Sequence, residues 1–165
     1  MLFRSSDLGT ILLKVGNVHD AEQALGEVVR QGSALESTAN AMIELMNCAS
    51  FRRDRVGFER WREQCDARRE TMPPNILVDY MLKAGIGRAR FGQFDRAERL
   101  LANALQIADD AGLHEFTFRI ERIKSGLRDC RQAPNEEPAE VAKPVVQTEA
   151  VREVSAALAH LAAAT

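Results

Sequence analysis

Several residue types are scarce in this sequence, and each scarcity excludes a class of protein. No stretch contains the roughly 18 consecutive apolar residues that a transmembrane helix needs, and the N-terminus has no apolar run followed by a cleavage site. We therefore expect a cytoplasmic protein with no membrane partner. The three cysteines are widely spaced and form no CxxC pair, which argues against a disulfide framework and against a zinc site.

Neither sign of charge is in large excess, because the formal net charge of the 165 residues is only −2. Such a balance gives no overall attraction to nucleic acid or to an anionic membrane, so we do not expect nucleic acid as the main partner. Lysine is rare beside arginine, with four lysines against eighteen arginines. That bias is compatible with a GC-rich bacterial genome.

Residue patterns that carry catalysis are absent. The histidines His19, His114 and His160 fall in different predicted helices, and none belongs to a nucleophile or metal-ligand motif. No glycine-rich phosphate loop follows a strand. Aromatic residues are few, at 5%, whereas alanine is abundant, which is typical of closely packed helices. We therefore expect no enzyme activity, no cofactor and no metal.

Cys65 allows two interpretations. It lies near Arg62 and Arg68, whose charges would lower the pKa of a thiol. It also lies four residues after Trp61, on the same helical face, which favours a buried structural thiol. We prefer the second interpretation.

The clearest pattern is the stretch 85–105, which predicts two helices joined by a tight turn at Gly92. Asp95 and Glu98 have the spacing of an N-cap and its capping-box acid. The second helix then continues with an apolar stripe at helical spacing. The stripe consists of Ala97, Leu101, Ala104 and Leu105.

This pattern recurs twice toward the N-terminus. Gly9 and Gly16 repeat the spacing of Gly85 and Gly92, and Ala21 and Leu25 follow them as Ala97 and Leu101 follow Gly92. A weaker middle copy is set in the same frame by Leu45, Gly57, Trp61 and Gln64. The copies begin near residues 2, 38 and 78, so their spacings are 36 and 40 residues.

The pattern of small residue, glycine, aromatic and alanine resembles the tetratricopeptide repeat, a helix-turn-helix unit of about 34 residues. It falls on Gly85, Gly92, Phe94, Ala97, Leu101 and Ala104. The resemblance covers roughly residues 2–111. It implies an all-α fold, a right-handed solenoid of about three such helical hairpins, which a polar-backed seventh helix would cap. The predicted helices are 2–15, 19–31, 33–49, 56–70, 76–91, 95–111 and 113–131.

Composition divides the chain into three parts, with the solenoid over 1–131 followed by a Pro- and Glu-rich linker over 132–148. The last part, 149–165, predicts an alanine-rich amphipathic helix with one narrow apolar stripe. This stripe consists of Val151, Val154, Leu158 and Leu161. A lone helix of this length is marginal in water, so we expect it to dock within the chain, on a second copy or on a partner; the alternative is a disordered tail. Because no capping helix precedes the first hairpin, we expect either a fragment or a partner that covers its exposed face.

The resemblance also implies a binding groove, since the first helices of such hairpins line the concave, peptide-binding side of the family's solenoids. The matching positions are Ser6, Thr10, Met42, Met46, Leu82, Ile86 and Arg90. Met42 and Met46 suit an adaptable groove for an amphipathic helix of a partner protein. The alternative is that both methionines belong to the core.

Arginines concentrate in 51–70 and again in 88–99. Pairs such as Glu59 with Arg62 and Asp66 with Arg69 favour a solvated, salt-bridged face. The alternative is an anionic-ligand patch for phosphates or an acidic protein. It would contain Arg52, Arg53, Arg55, Arg88, Arg96 and Arg99, with Arg90 nearby.

Together these patterns predict a non-catalytic adaptor or scaffold that binds a protein or peptide. The resemblance further suggests the sensory or assembly module of a bacterial regulatory system. Self-association through the C-terminal helix is one way in which such a module assembles. A nucleic-acid-associated protein that works through the arginine patch is the alternative.

Overall fold

The computed structural model describes residues 12, 14, 16–31 and 35–132, and within these ranges the chain forms only helices and the turns between them. There are six α-helices and one 3₁₀ turn at Arg69–Thr71. None of the described helices is long and apolar enough to cross a lipid bilayer. The helices are α1 (Val18–Gln31), α2 (Leu35–Phe51), α3 (Arg55–Asp66), α4 (Pro74–Arg90), α5 (Phe94–Asp110) and α6 (His114–Gln132).

Four turns in the described ranges share one geometry. A residue with positive φ occupies each of these four, namely Gly16, Arg53, Gly92 and Gly112, with φ of 83°, 59°, 74° and 67°. In each case the next amide donates to the carbonyl five residues before it, as Gln93 does to Arg88 at 2.9 Å. This bond satisfies a carbonyl that the helix end leaves unpaired. Three of the four positions are glycine, since a left-handed backbone costs other residues about 1–2 kcal/mol.

The turns also give the spacing of the repeated units. Gly16, Arg53 and Gly92 lie 37 and 39 residues apart, so the middle unit is shifted by one residue from the 36 and 40 expected. The shift aligns Phe58, rather than Gly57, with Ala97. This explains the weak middle copy, because its turn carries arginine in place of glycine and its second helix carries phenylalanine in place of alanine.

Helix α2 separates two hydrophobic cores. The smaller core lies between α2 and α1 and contains Leu25, Val28, Ala41 and Leu45. The larger core lies between α2, α3, α4, α5 and α6. Because α2 and α4 each pack on several neighbours, they are buried on most sides. Burying apolar side chains stabilises the fold by about 25 cal/mol per Å² removed from water.

Two glycines let helices approach α4 closely. A Cβ at Gly85 would lie 3.0 Å from Cγ of Leu101, so the absent side chain admits α5. A Cβ at Gly87 would lie 2.8 Å from Cζ of Phe58, so that position admits the large ring from α3. Phe58 is fully buried and also packs on Phe91, with ring centroids 5.3 Å apart.

The helical fold class is confirmed, and most predicted helix ends lie within two residues of the structure. The exception is α3, which ends at Asp66 instead of running to residue 70. Its backbone turns at Arg68 before the Pro73–Pro74 break. The prediction of a capping box at Asp95 was wrong: the N-cap of α5 is Gln93, and no side chain caps the helix. Gly112 does terminate α5, as predicted.

Several predictions concern parts of the chain outside the described residues. They include most of the first helix (2–15), the linker after residue 132 and the C-terminal helix (149–165). The interface predicted for Val151, Val154, Leu158 and Leu161 therefore stays a prediction.

Candidate functional site, an arginine-lined cleft

The residues predicted to line an apolar groove are core residues. Met42, Met46, Leu82 and Ile86 are all buried within the larger core, with exposed fractions of at most 3%. Side chains packed there have no surface left for a ligand. The structure therefore supports the alternative for the two methionines, and it corrects the groove at Leu82 and Ile86 as well. Ser6 and Thr10 lie outside the described residues.

Arg90, the polar member of the predicted groove, is also buried. Its guanidinium donates to Oδ1 of Asn47 at 3.0 Å and to Oγ of Ser50 at 2.6 Å. It also stacks 3.7 Å from the centroid of the Phe51 ring. Arg90 thus ties the end of α4 to the end of α2, which is a structural role.

The predicted arginine patch divides into two groups. Arg52 pairs with Glu22 of α1 at 2.5 Å. Arg53 lies in the turn before α3 and donates to the carbonyl of Arg90. Arg55 is exposed at the first residue of α3. These three arginines lie away from Arg88, Arg96 and Arg99, which do come together.

Arg88, Arg96 and Arg99 line a cleft of about 370 Å³ between α3, α4 and α5, which we call the arginine cleft. Five arginines and one aspartate contribute to its surface. The lining residues are Arg62, Asp66, Arg69, Tyr80, Ala84, Arg88, Arg96, Arg99, Leu100 and Asn103. The helices that form it are held by the Phe58–Gly87 and Leu101–Gly85 contacts, so the core fixes its width.

One side of the cleft is neutralised by carboxylates. Arg88 is buried, and its Nη2 donates to Oε2 of Glu59 at 3.0 Å while its Nη1 donates to Oε1. Nη1 also donates to Oε1 of Gln93 at 2.9 Å. Burial raises the pKa of Glu59, but hydrogen bonds from Arg62 and Arg88 outweigh it, so the net pKa is below the ordinary 4.5. Arg88 is therefore a fixed wall of the cleft.

Arg62 extends this network along α3. Its Nε donates to Glu59 at 2.8 Å, and its Nη1 pairs with Asp66. Asp66 in turn accepts from the hydroxyl of Tyr80. Burial, and then this hydrogen bond, raise the pKa of Tyr80, so the phenol stays protonated. The predicted Glu59–Arg62 pair is present, but Asp66 pairs with Arg62 instead of Arg69, because α3 ends before Arg69.

The other side of the cleft carries charge that no carboxylate balances. Arg69, Arg96 and Arg99 are exposed, and within the described ranges none of them forms an ion pair. The Arg69 guanidinium donates to the sulfur of Met81 at 3.8 Å, and Arg99 donates to the carbonyl of Asp95 at 3.3 Å. After Arg62 and Arg88 are offset by Glu59 and Asp66, three positive charges remain. Guanidinium groups of this kind bind carboxylates and phosphates through paired N–H donors.

The sequence prediction contained three of the ten lining residues, Arg88, Arg96 and Arg99, and missed the other seven. Arg62 was assigned to a solvated face, and its ion pairs were indeed found, but the same side chain also borders the cleft. Arg69 joins it only because the chain leaves the helical path after Asp66. The sequence did contain one signal for the cleft: Arg96 and Arg99 are three residues apart on one helix, so their side chains lie on the same face.

A second group of charges joins α2 to α4. Nζ of Lys83 lies 2.8 Å from Asp79 and also pairs with Glu44. Burial lowers the pKa of Lys83, but both carboxylates outweigh it and raise the pKa. Because one ammonium group engages both carboxylates, this cluster has a structural role in holding α2 against α4.

Neither Cys48 nor Cys65 offers a reactive thiol. Cys48 and Cys65 are both buried and free. Burial, and then the nearby Asp66 charge, raise the pKa of Cys65 to about 12, whereas Arg68 and Arg62 lower it only in part. The structural interpretation of Cys65 therefore holds. Within residues 12–132 as described, no group of three His, Cys, Asp or Glu side chains is placed to hold a metal ion.

Comparisons with known proteins leave the site to be judged on its own geometry. The chain matches no protein-family model, no curated protein and no solved structure.

Proposed function

We propose that this chain is a non-catalytic protein-interaction module, and that its arginine cleft binds an acidic segment of a partner protein. The scaffold would be a right-handed solenoid of three tetratricopeptide-like hairpins with α6 as its cap. The recurring turns at Gly16, Arg53 and Gly92 support this repeat. An adaptor in a bacterial regulatory system is the role that such a module fits.

The observation that carries the proposal is the uncompensated charge of Arg69, Arg96 and Arg99 at one cleft. Arg88, held by Glu59, and Tyr80, whose hydroxyl donates to Asp66, form a rigid wall of the cleft. Arg96 and Arg99 project from α5, and a site on a helix is positioned more accurately than one on a loop, which reduces the ordering that binding requires.

Asp66 favours a polypeptide over nucleic acid as the ligand. Its carboxylate borders the cleft beside the three arginines. A polypeptide can place its own carboxylates on the arginines and its backbone N–H groups toward Asp66. A nucleic acid carries a phosphate at every nucleotide and has no such backbone donors, and Asp66 already takes up the charge of Arg62, so this end of the cleft offers little to a further phosphate.

The test is a titration of the full chain with labelled peptides. The probe is an eight-residue peptide with four glutamates, and its matched control carries glutamines at the same positions. We expect the Glu peptide alone to bind, and Arg69→Ala with Arg96→Ala to weaken it about tenfold, or about 1.4 kcal/mol. The charge-matched control variant is Arg30→Ala with Arg119→Ala, since both side chains are exposed and lie outside the cleft.

Two results would contradict the proposal. Equal weakening by both double variants would mean that the peptide responds to net charge rather than to the cleft. A single-stranded oligonucleotide that binds more tightly than the Glu peptide, with affinity falling steeply as salt rises, would favour the nucleic-acid alternative.

A further inference from the structure

A second cleft lies beside the arginine cleft, on the adjoining face of α5. It has a volume of about 440 Å³ and is lined by residues of α5 and α6. We call it the α5–α6 cleft. Its lining residues are Asp95, Glu98, Arg99, Ala102, Lys124 and Arg128. Lys124 and Arg128 are one helical turn apart on α6, so both reach the same side of that helix.

Arg99 belongs to both clefts. On α5, Arg96, Leu100 and Asn103 turn toward the arginine cleft, whereas Asp95, Glu98 and Ala102 turn toward the α5–α6 cleft. The exposed Arg99 side chain therefore stands on the ridge between them. A ligand that crosses α5 would pass over this guanidinium group.

The charges of the α5–α6 cleft favour an anionic ligand less strongly than those of the arginine cleft. Arg99, Lys124 and Arg128 supply three positive charges, and Asp95 and Glu98 supply two negative ones. Asp95 and Glu98 both have interaction partners in the structure. Neither Lys124 nor Arg128 forms an ion pair within the described residues. A second acidic group of the same ligand would find its partners there.

We infer that the two clefts form one continuous site for an extended acidic polypeptide that crosses α5 over Arg99. This inference rests on the proposed function, since the first acidic group occupies the arginine cleft. A helix with its side chains is about 10 Å thick, and an extended chain advances about 3.3 Å per residue. The ligand therefore carries two acidic groups separated by at least about three residues, the second one beside Lys124 and Arg128.

The test compares three peptides on the full chain. The first contains Glu-Glu, a four-residue Gly-Ser spacer and a second Glu-Glu pair. In the second peptide the last pair is Gln-Gln, and in the third the spacer is a single residue. We expect the first to bind about tenfold more tightly than the second, because the second contact becomes intramolecular once the first is made. With the one-residue spacer only the outermost glutamates, four positions apart, can span the roughly 10 Å of α5, so each cleft receives one glutamate instead of two and part of this gain should be lost.

Lys124→Ala with Arg128→Ala identifies the second contact. We expect this variant to bind the first and second peptides equally, and to bind the second within about twofold of the unmodified chain. Lys124→Gln with Arg128→Gln should behave in the same way, and it guards against a packing defect in the alanine variant. The control is Arg30→Ala with Arg119→Ala, which should keep the full gain.

The outcomes separate the two proposals. If the second peptide binds at the arginine cleft but the second Glu-Glu pair adds nothing, the continuous site is wrong and the proposed function stands. A gain that survives the loss of Lys124 and Arg128 would also overturn the inference. If no peptide binds, the proposed function itself fails.

Discussion

Arg88 and Glu59 form a bidentate ion pair that joins α4 to α3 at the wall of the arginine cleft. The Arg88 guanidinium also lies 5.4 Å from the centroid of the Phe58 ring, so it is held from two directions. Because the side chain of Arg88 is only 8% exposed, the loss of Glu59 would leave a desolvated charge behind. The wall of the cleft therefore depends on the Glu59 carboxylate, which also adds to the packing of Phe58 in joining α3 to α4.

Glu59→Gln should lower the free energy of unfolding at neutral pH by about 2 kcal/mol, because a buried guanidinium loses its charged partner. The figure is at the low end for a buried pair, since Glu59 is itself 31% exposed. Urea denaturation measures it. Glu63→Gln, an exposed position on the same helix, is the control and should change stability by less than about 0.5 kcal/mol. Equal effects of the two variants would show that the ion pair adds nothing.

The same carboxylate should make stability sensitive to acid. The pKa of Glu59 in the folded chain is below its ordinary 4.5. Its contribution is therefore complete above pH 4.5 and is lost as the pH falls through the lower, folded value. We expect the stability difference between the unmodified chain and Glu59→Gln to shrink as the pH falls below about 4.5. A difference that stays constant from pH 7 to pH 3 would contradict the assigned pKa direction.

Gly87→Ala should destabilise the protein by about 1–3 kcal/mol, because the new methyl group would overlap the ring of Phe58 and the buried ring has no space to move. The matched control is Gly26→Ala in α1, where a Cβ meets no atom within 4 Å. That change should stabilise the helix by about 0.5–1 kcal/mol. Thermal unfolding of the two variants measures the expected loss of stability in Gly87→Ala and the expected gain in Gly26→Ala. A neutral Gly87→Ala would mean that α3 and α4 are not in close contact.

Gly92→Ala should cost about 1–2 kcal/mol although the added methyl group meets nothing within 4 Å. The cost comes from the backbone, which has a φ of +74° in the turn before α5. Gly92→Asn is the control, since asparagine tolerates this conformation better than alanine does. If denaturation gives the same stability for both variants, the turn does not have the left-handed geometry.

Cys48 and Cys65 should resist a thiol reagent in the folded chain. Burial raises the pKa of both thiols, to about 12 for Cys65. Reaction with a disulfide reagent is measured at pH 8 in a Cys130→Ser background. We expect no fast reaction until denaturant is added, and then two equivalents. Rapid modification of one thiol under native conditions would revive the reactive interpretation of Cys65.

Most of the helical fold was predictable from the sequence, because apolar spacing and glycine turns are local signals. Gly92 and Gly112 marked their turns directly. The middle unit was harder, since Arg53 occupies a left-handed position where glycine is expected. Its conformation depends on the surrounding turn and on its bond to the carbonyl of Arg90, neither of which is visible in the local sequence.

Only some of the residues that line the arginine cleft could be predicted from the sequence. Arg88, Arg96 and Arg99 were recognised, but their separation from Arg52 depends on which helices pack together. The prediction of the apolar groove was wrong for a related reason. Apolar residues at helical spacing give the same sequence pattern whether they line a ligand groove or pack into a second core. α2 and α4 pack on several helices each, so their apolar positions are buried on more than one side.

A nuclear magnetic resonance titration of the isotope-labelled full chain with the four-glutamate peptide would locate the binding site residue by residue. We expect the largest shifts from the arginine side chains and amides around Arg69, Arg96 and Arg99, and no shifts with the glutamine peptide. Shifts centred on Arg52, Arg53 and Arg55, or spread evenly over all exposed arginines, would contradict the proposed site.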